Sequence, residues 1–547
     1  MIIEAISRLK VSEVILAPED RAVLELVFDA PRSATEIAVR AGALMPGLAL
    51  TARSAFERDS DHYVFLDFET VSPRGNEQVL FSLARALRPE MEAVEAHPVL
   101  PDSIIGAVAV GAASPESFAA LCETPRRDDL PFGWVHPVLR TTQAWQTTRG
   151  AGVTVAVIDT GHSTHQELHG AIRVQGQRNF VEGGSDAQDR FSDGFLKHPG
   201  HGTVVCSVVA SRGSADRQGN TSGPGAITGS APEAMILPIR AIRSVINFNQ
   251  SNVPAAIAHA VREGADVITF AMGGPSRVAA TERALRDAVA AGVIITSAAG
   301  NCWPWVVFPA AYAPDGLCCA VAALTPGLTP WAKSGRGPQV TIAAPGEQVW
   351  AAAKNKATDY DAGVRPAQGT TLATSLTAGV AALWIARHGG RAALKARADA
   401  AGTTVQAMFN RCATAGLVPP QVWNGAADLG AGLLDAKRTL AAPLPTGPTG
   451  IEAVADAQLP PQGAQSTLNV AVTALAAQVP DAAAELDAGL ADHAAEILWL
   501  AYRNAARERV VATGHAEALA VVPDAPSGAL AAELATRPAL ARALGLV

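Results

Sequence analysis

From about residue 128 to 443, short apolar runs alternate with longer segments whose apolar positions recur at helical spacing. The runs 153–158, 235–239, 266–270, 293–297, 318–322 and 339–343 are rich in Val, Ile and Ala and predict strands. The segments 202–211, 254–263, 281–291 and 371–387 predict helices. Strand and helix in alternation predict an α/β fold, a doubly wound parallel sheet covered on both faces. In such a sheet the functional residues gather beyond the carboxyl ends of the strands.

Two further blocks flank this one. Over 22–97 the pattern reads strand 22–29, helix 33–43, strand 48–55, strand 63–71, helix 76–87 and strand 93–97. The order β-α-β-β-α-β is that of a ferredoxin-like α+β module. Ser33, with Glu36 three residues on, has the form of a capping box. After the Pro/Gly stretch 443–450, which reads as a linker, the chain turns rich in Ala and Leu, with helical patterns at 484–507 and 528–544. The expected organisation is therefore an N-terminal module with its linker (1–127), an α/β domain (128–443) and a C-terminal helical region (451–547).

Composition narrows the class. The chain has 547 residues, 49% apolar and 17% charged, which excludes a disordered polymer. A net charge of −8 lacks the basic footprint of a nucleic-acid binder. The near-apolar runs 104–113 and 470–479 are about half a membrane span, so no transmembrane segment is expected. The first residues lack the basic-then-apolar order of an export signal, and a cytoplasmic location is expected. Cys122, Cys206, Cys302, Cys318, Cys319 and Cys412 are scattered, with no Cys-x-x-Cys pair, so neither zinc nor a disulfide framework is expected. Cys206 and Cys302 read as small packing residues.

Four motifs carry chemistry. An apolar strand ends in Asp159-Thr160-Gly161, and His198-Pro-Gly-His201-Gly-Thr203 opens an apolar helix. A third strand runs into Ala298-Ala299-Gly300-Asn301. Last, Gly369-Thr370-Thr371 opens the long apolar helix that continues through Ser375 and Gly379 to Trp384. A hydroxyl at a helix start sits where backbone N–H groups favour developing negative charge. Taken singly, each motif has a plain structural reading. Taken in order, Asp, His, Asn and hydroxyl match a subtilisin-type triad with an amide for the oxyanion.

On these residues the chain resembles the subtilisin-like serine peptidases over about residues 134–440. Asn179-Phe-Val181, Ala231-Pro232, Phe308-Pro-Ala310 and Ala343-Ala-Pro-Gly346 extend the resemblance. It implies endopeptidase chemistry, with Asp159 as the triad acid, His201 as general base, Asn301 as oxyanion donor and residue 371 as nucleophile. It implies a peptide substrate lying along 269–274 and 298–300, with Ala271, Met272, Gly273, Ala298, Ala299 and Gly300 as binding residues. It makes the N-terminal block look like the family's inhibitory propeptide, docked on the peptidase. No cofactor is implied. A structural calcium is a family feature, but here only Glu167, in His165-Gln-Glu-Leu168, is a candidate ligand, and otherwise it reads as a surface glutamate. His162, His165 and His198 read as structural or surface residues.

One departure dominates. The family pattern Gly-Thr-Ser-Met-Ala reads Gly369-Thr370-Thr371-Leu372-Ala373 here. Ser375 lies a helical turn further on and cannot replace residue 371. Threonine keeps the hydroxyl but adds a methyl that restricts χ1. Two readings stay open: a peptidase weakened by or adapted to Thr371, and an inactive relative that binds peptides or acts as a scaffold.

Overall fold

The computed structural model describes residues 2–100, 124–127, 129–191, 198–213, 227–245, 250–303, 305–423, 427–448, 464–476, 478–512 and 525–546. The apolar run 104–113 lies outside them. The centre is a seven-stranded, all-parallel sheet. Its strands are β5 (Thr154–Asp159), β6 (Arg178–Asn179), β7 (Met235–Arg240), β8 (Val267–Phe270), β9 (Ile294–Ala298), β10 (Cys319–Leu324) and β11 (Ile342–Pro345), in the order β11-β10-β9-β8-β5-β7-β6.

Alternation along β5 sends Val155 and Val157 to one core and Ala156 and Ile158 to the other. With both faces buried, the strands read as continuous apolar runs rather than alternating ones. One face is covered by α3 (His201–Ala210) and α6 (Thr370–Arg387), the other by α4 (Val253–Arg262) and α5 (Ala279–Ala290). Because β7 and β8 flank β5 on opposite sides, the chain order reverses at β5, and Asp159 ends that strand. A crevice at such a switch point is where open α/β sheets place ligands.

The N-terminal module has β1 (Ala22–Ser33), α1 (Ala34–Leu44), β2 (Leu50–Ser54), β3 (Ser60–Phe68), α2 (Glu77–Glu90) and β4 (Glu95–Pro98). Its antiparallel sheet has the order β2-β3-β1-β4. Leu24, Leu26 and Phe28 of β1 face a core shared with α1 and α2, while Val23 and Val27 pack into the core that holds α4 and α5. Between them Glu25, fully buried, accepts the backbone N–H groups of Ala279 and Ala280 at 2.8 and 2.7 Å. A carboxylate at these orphan donors satisfies the start of α5 and favours its dipole.

The C-terminal helices join both neighbours. Leu468 and Leu475 of α7 (Ala464–Ala476), and Ile497 and Leu500 of α8 (Ala494–Ala512), share the core of the N-terminal module. Trp499 meets Phe81 with ring centroids 5.6 Å apart. Arg85 donates to Glu496 at 2.9 Å and to Ser527 at 2.6 Å. On the other side, the Tyr502 hydroxyl donates to the Val306 carbonyl at 2.5 Å. Removing one partner of a buried ion pair strands the other charge. Arg85→Ala is therefore expected to cost about 3 kcal/mol of stability, read from a denaturant melt, whereas loss of the exposed Arg88–Asp492 pair should cost under about 1 kcal/mol.

Some elements differ from expectation. Helices Arg391–Ala400 and Val405–Thr414 follow α6, and the hairpin β12 (Val349–Ala352) and β13 (Val364–Ala367) precedes it. The predicted helix 528–544 is two, Gly528–Leu534 and Pro538–Ala543, since Pro538 cannot continue a helix but suits its first turn. The strand predicted over 339–343 begins later, at Ile342.

Candidate active site

Asp159 is fully buried at the end of β5. One carboxylate oxygen accepts the Thr160 N–H at 2.7 Å, and the two oxygens lie 2.8 and 3.0 Å from His201 Nδ1. This fixes the ring and leaves Nε2 facing outward. His201 is the first residue of α3, whose start packs on the loop after Asp159. A Cβ at Gly202 would overlap the Gly161 carbonyl, so only glycine permits this approach. The Thr160 hydroxyl accepts the Gly202 N–H at 3.1 Å and donates to buried Asp189 at 2.6 Å, tying the loop to the helix.

Behind Asp159 lies a residue that the motifs do not mark. Arg240, the register partner of Asp159 on β7, is fully buried. Its guanidinium donates to the Thr160 carbonyl and makes two bonds of 2.8 Å to Glu182. Burial disfavours the Glu182 carboxylate, but the bonds and charge of Arg240 prevail and hold its pKa down to about 2. His198, whose ring centroid is 6.5 Å from that of His201, is held down to about 4 by burial and by the charges of His201 and Arg365. It stays neutral at ordinary pH.

Thr371 sits in the first turn of α6, where its N–H has no acceptor within the helix. Its hydroxyl lies 3.4 Å from His201 Nε2 and 3.0 Å from the Ala271 carbonyl, to which it donates. The first distance is longer than the 2.6–3.2 Å of a formed nucleophile–base bond, and within the looser range of an empty site. Asn301 follows β9. Its side-chain carbonyl accepts the Thr370 N–H at 2.8 Å and the Thr370 hydroxyl at 2.9 Å. This orients the amide with its NH2 end turned away from Thr370. Gly369 has φ +135°, and a Cβ there would stand 2.8 Å from Asn301 Nδ2, so glycine is required beside the amide.

Asp159, His201, Asn301 and Thr371 thus converge at one end of the sheet. Ala271, Met272 and Gly273 leave β8 on one side of Thr371, and Ala298, Ala299 and Gly300 end β9 on the other. Ser375 bonds back to the Thr371 carbonyl at 2.7 Å and takes no part.

Two readings of the sequence are corrected. Glu167 is not a surface residue: it is buried and accepts the Ser211 hydroxyl at 2.5 Å. Cys302, next to Asn301, is disulfide-bonded rather than a packing thiol. Cys206, Cys318, Cys319 and Cys412 are free and buried, and Cys122 lies outside the described residues. Among the described residues no group of His, Cys, Asp or Glu is placed to hold a metal, and no helix is long and apolar enough to cross a membrane.

The chain is similar to an intracellular serine protease of Paenibacillus polymyxa, with 31% identity over 165 residues, 30% of this chain and 46% of that protein. It is 30% identical to subtilisin DY of Bacillus licheniformis over 266 residues, 47% of this chain and 85% of that one. A solved protease structure from Pseudoalteromonas arctica aligns at 23% identity and a TM-score of 0.44, covering 55% of this chain and 93% of that one. The model of the subtilase family (peptidase S8) matches residues 150–425. With that match spanning half of the chain, and four ordered motifs converging at one end of its parallel sheet, the protein belongs to the subtilase family.

Proposed function

We propose that the protein is a subtilisin-type endopeptidase kept in a zymogen-like state. The observation that carries the reading is the line Asp159–His201–Thr371, with a carboxylate at Nδ1 of the imidazole and a hydroxyl 3.4 Å from Nε2. In this mechanism His201 takes the Thr371 proton as the oxygen attacks the scissile carbonyl, and Asp159 stabilises the imidazolium. The Asn301 amide and the Thr371 N–H receive the oxyanion, each such donor being worth about 10²–10³ in rate. His201 then returns the proton to the leaving amine, and water repeats the sequence to free the acyl group. No metal or cofactor is needed. Hydrolysis of a peptide p-nitroanilide by the chain, absent from His201→Ala, tests the reading.

A specific observation favours a second, non-catalytic reading. The Thr371 hydroxyl donates to Ala271 instead of His201, which fits a peptide-binding or scaffold relative.

The N-terminal module acts as the inhibitory propeptide. Leu100 is buried and its carbonyl accepts the Ser276 hydroxyl at 3.3 Å, close to the β8 wall. Beyond the undescribed residues 101–123, Thr124 and Gln368 exchange bonds of 3.1 and 2.9 Å just ahead of Gly369. The connection between module and peptidase therefore starts and ends beside the site. The relative named as an intracellular serine protease supports a cytoplasmic location.

The docked module carries a titratable contact. His97 is buried between Glu25 at 2.8 Å and Glu95 at 3.4 Å, with Arg277 bonded to Glu95 at 3.1 Å and to Glu282 at 2.8 Å. Burial opposes protonation, yet the two carboxylates outweigh it and Arg277, and raise the pKa of His97. A raised histidine stabilises the folded state fully below about pH 6.5 and loses that contribution as pH rises through its folded value. The melting temperature should fall from pH 6 to pH 9, and His97→Gln should flatten that slope, as read by calorimetry.

A further inference from the structure

Thr160 links the triad acid to the loop that follows it. Its N–H donates to the Asp159 carboxylate at 2.7 Å, and its carbonyl accepts from the Arg240 guanidinium. Ala241 N–H, one residue along β7, donates to the Asp159 carbonyl at 3.0 Å. Residues 240 and 241 therefore hold the main chain on both sides of the Thr160 N–H. The next residue, Gly161, has φ +103° and no side chain to limit the turn, so the peptide joining 160 to 161 is fixed from outside. Arg240 is itself held: its side chain is fully buried, and Glu182 accepts from its Nε and Nη2, each at 2.8 Å. The Asn179 side chain accepts the N–H groups of Val181 and Glu182 at 2.9 and 3.0 Å, an Asx-type turn that presents the carboxylate. The motif Asn179-Phe180-Val181 thus leads into the group that orients the guanidinium.

We propose that Arg240 is a positioning residue for the triad acid: by fixing the Thr160 carbonyl it fixes the N–H that orients the Asp159 carboxylate toward His201 Nδ1. The inference rests on the endopeptidase reading above. Without the guanidinium, the Thr160 carbonyl of this fully buried residue loses its charged donor. An unsatisfied buried carbonyl gains by turning toward another donor, and the Thr160 N–H turns with it. The 2.8 and 3.0 Å contacts between the carboxylate and Nδ1 then lose their alignment. A misplacement of about 1 Å is worth about 10²-fold in rate, so a partial one should cost at least ~10-fold. Arg243, 3.6 Å from the Glu182 carboxylate, keeps that acid paired when Arg240 is removed, so the disturbance stays local.

The test uses the full chain in its Thr371→Ser form, with a small fluorophosphonate to read the reactivity of residue 371. Arg240→Met should slow labelling at least ~10-fold with the circular dichroism spectrum unchanged. In an Asp159→Asn background the same substitution should slow it less than ~2-fold, because the residue acts through the carboxylate. The proton NMR signal of His201 Nδ1–H, identified by its absence from His201→Ala and shifted downfield by the bond to Asp159, should move upfield or broaden in Arg240→Met. Glu182→Gln, which keeps Arg240 but loosens its hold, should show a smaller loss with the same dependence on Asp159, and serves if the methionine variant does not fold. Labelling unchanged by these substitutions, an unchanged proton signal, or the same loss in the Asp159→Asn background would overturn the positioning role and leave the peptidase reading intact. No labelling of the Thr371→Ser chain itself would overturn that reading and this inference with it.

Discussion

Asp159→Asn is expected to lower kcat about 10⁴-fold with little change in KM, measured in the Thr371→Ser form. The buried carboxylate presents two acceptor oxygens to His201 Nδ1, at 2.8 and 3.0 Å, and so keeps the proton on Nδ1 and the lone pair on Nε2. An asparagine of the same shape can turn its NH2 toward Nδ1. The ring proton then moves to Nε2, the atom that must accept from residue 371. The Thr160 N–H, 2.7 Å from the same carboxylate, keeps one acceptor in either case, so the loop should hold its place. Unchanged circular dichroism with a collapsed kcat would separate chemistry from folding. A loss of less than about tenfold would mean that the imidazole is not the base.

Thr371→Ser is expected to raise kcat/KM for peptide hydrolysis by at least ~10²-fold, and Thr371→Ala to abolish it. The hydroxyl donates to Ala271 at 3.0 Å and stands 3.4 Å from His201 Nε2, so its proton points away from the base. To turn toward Nε2, a threonine must also swing its methyl, and the first turn of a helix leaves a β-branched residue few χ1 wells. Residue 371 is only 5% exposed, with Asn301, Thr370 and Gly369 closing one side. Serine rotates without that constraint. A misplacement of about 1 Å is worth about 10²-fold in rate, near 2.7 kcal/mol. Equal rates for the threonine and serine forms would show a site already adapted to threonine.

The parts of the fold legible in the sequence are those where local pattern and tertiary role coincide. Val155–Asp159 is apolar because both sheet faces are covered, and it ends in an acid because the strand ends at the crevice. Gly202 and Gly369 are legible as motif glycines, and the structure adds what each must avoid: the Gly161 carbonyl and the Asn301 amide. Illegible were the residues whose partners lie far along the chain. Glu25 reads as a polar break in an apolar strand; its role depends on N–H groups of residues 279 and 280, which no local pattern links to it. Arg240 and Glu182 form a pair 58 residues apart. Arg391–Ala400 was missed because only Leu394 and Ala398 are buried there, and alanines on the other faces blur the period.

The measurement that bears most directly on the account is active-site titration of the full chain with a fluorophosphonate, with the adduct located by mass spectrometry of the digested protein. The account predicts one adduct per chain on residue 371, forming at least ~10²-fold faster in Thr371→Ser than in the threonine form, and absent from Thr371→Ala and from His201→Ala. An adduct on another residue, or none in the serine form, would contradict it.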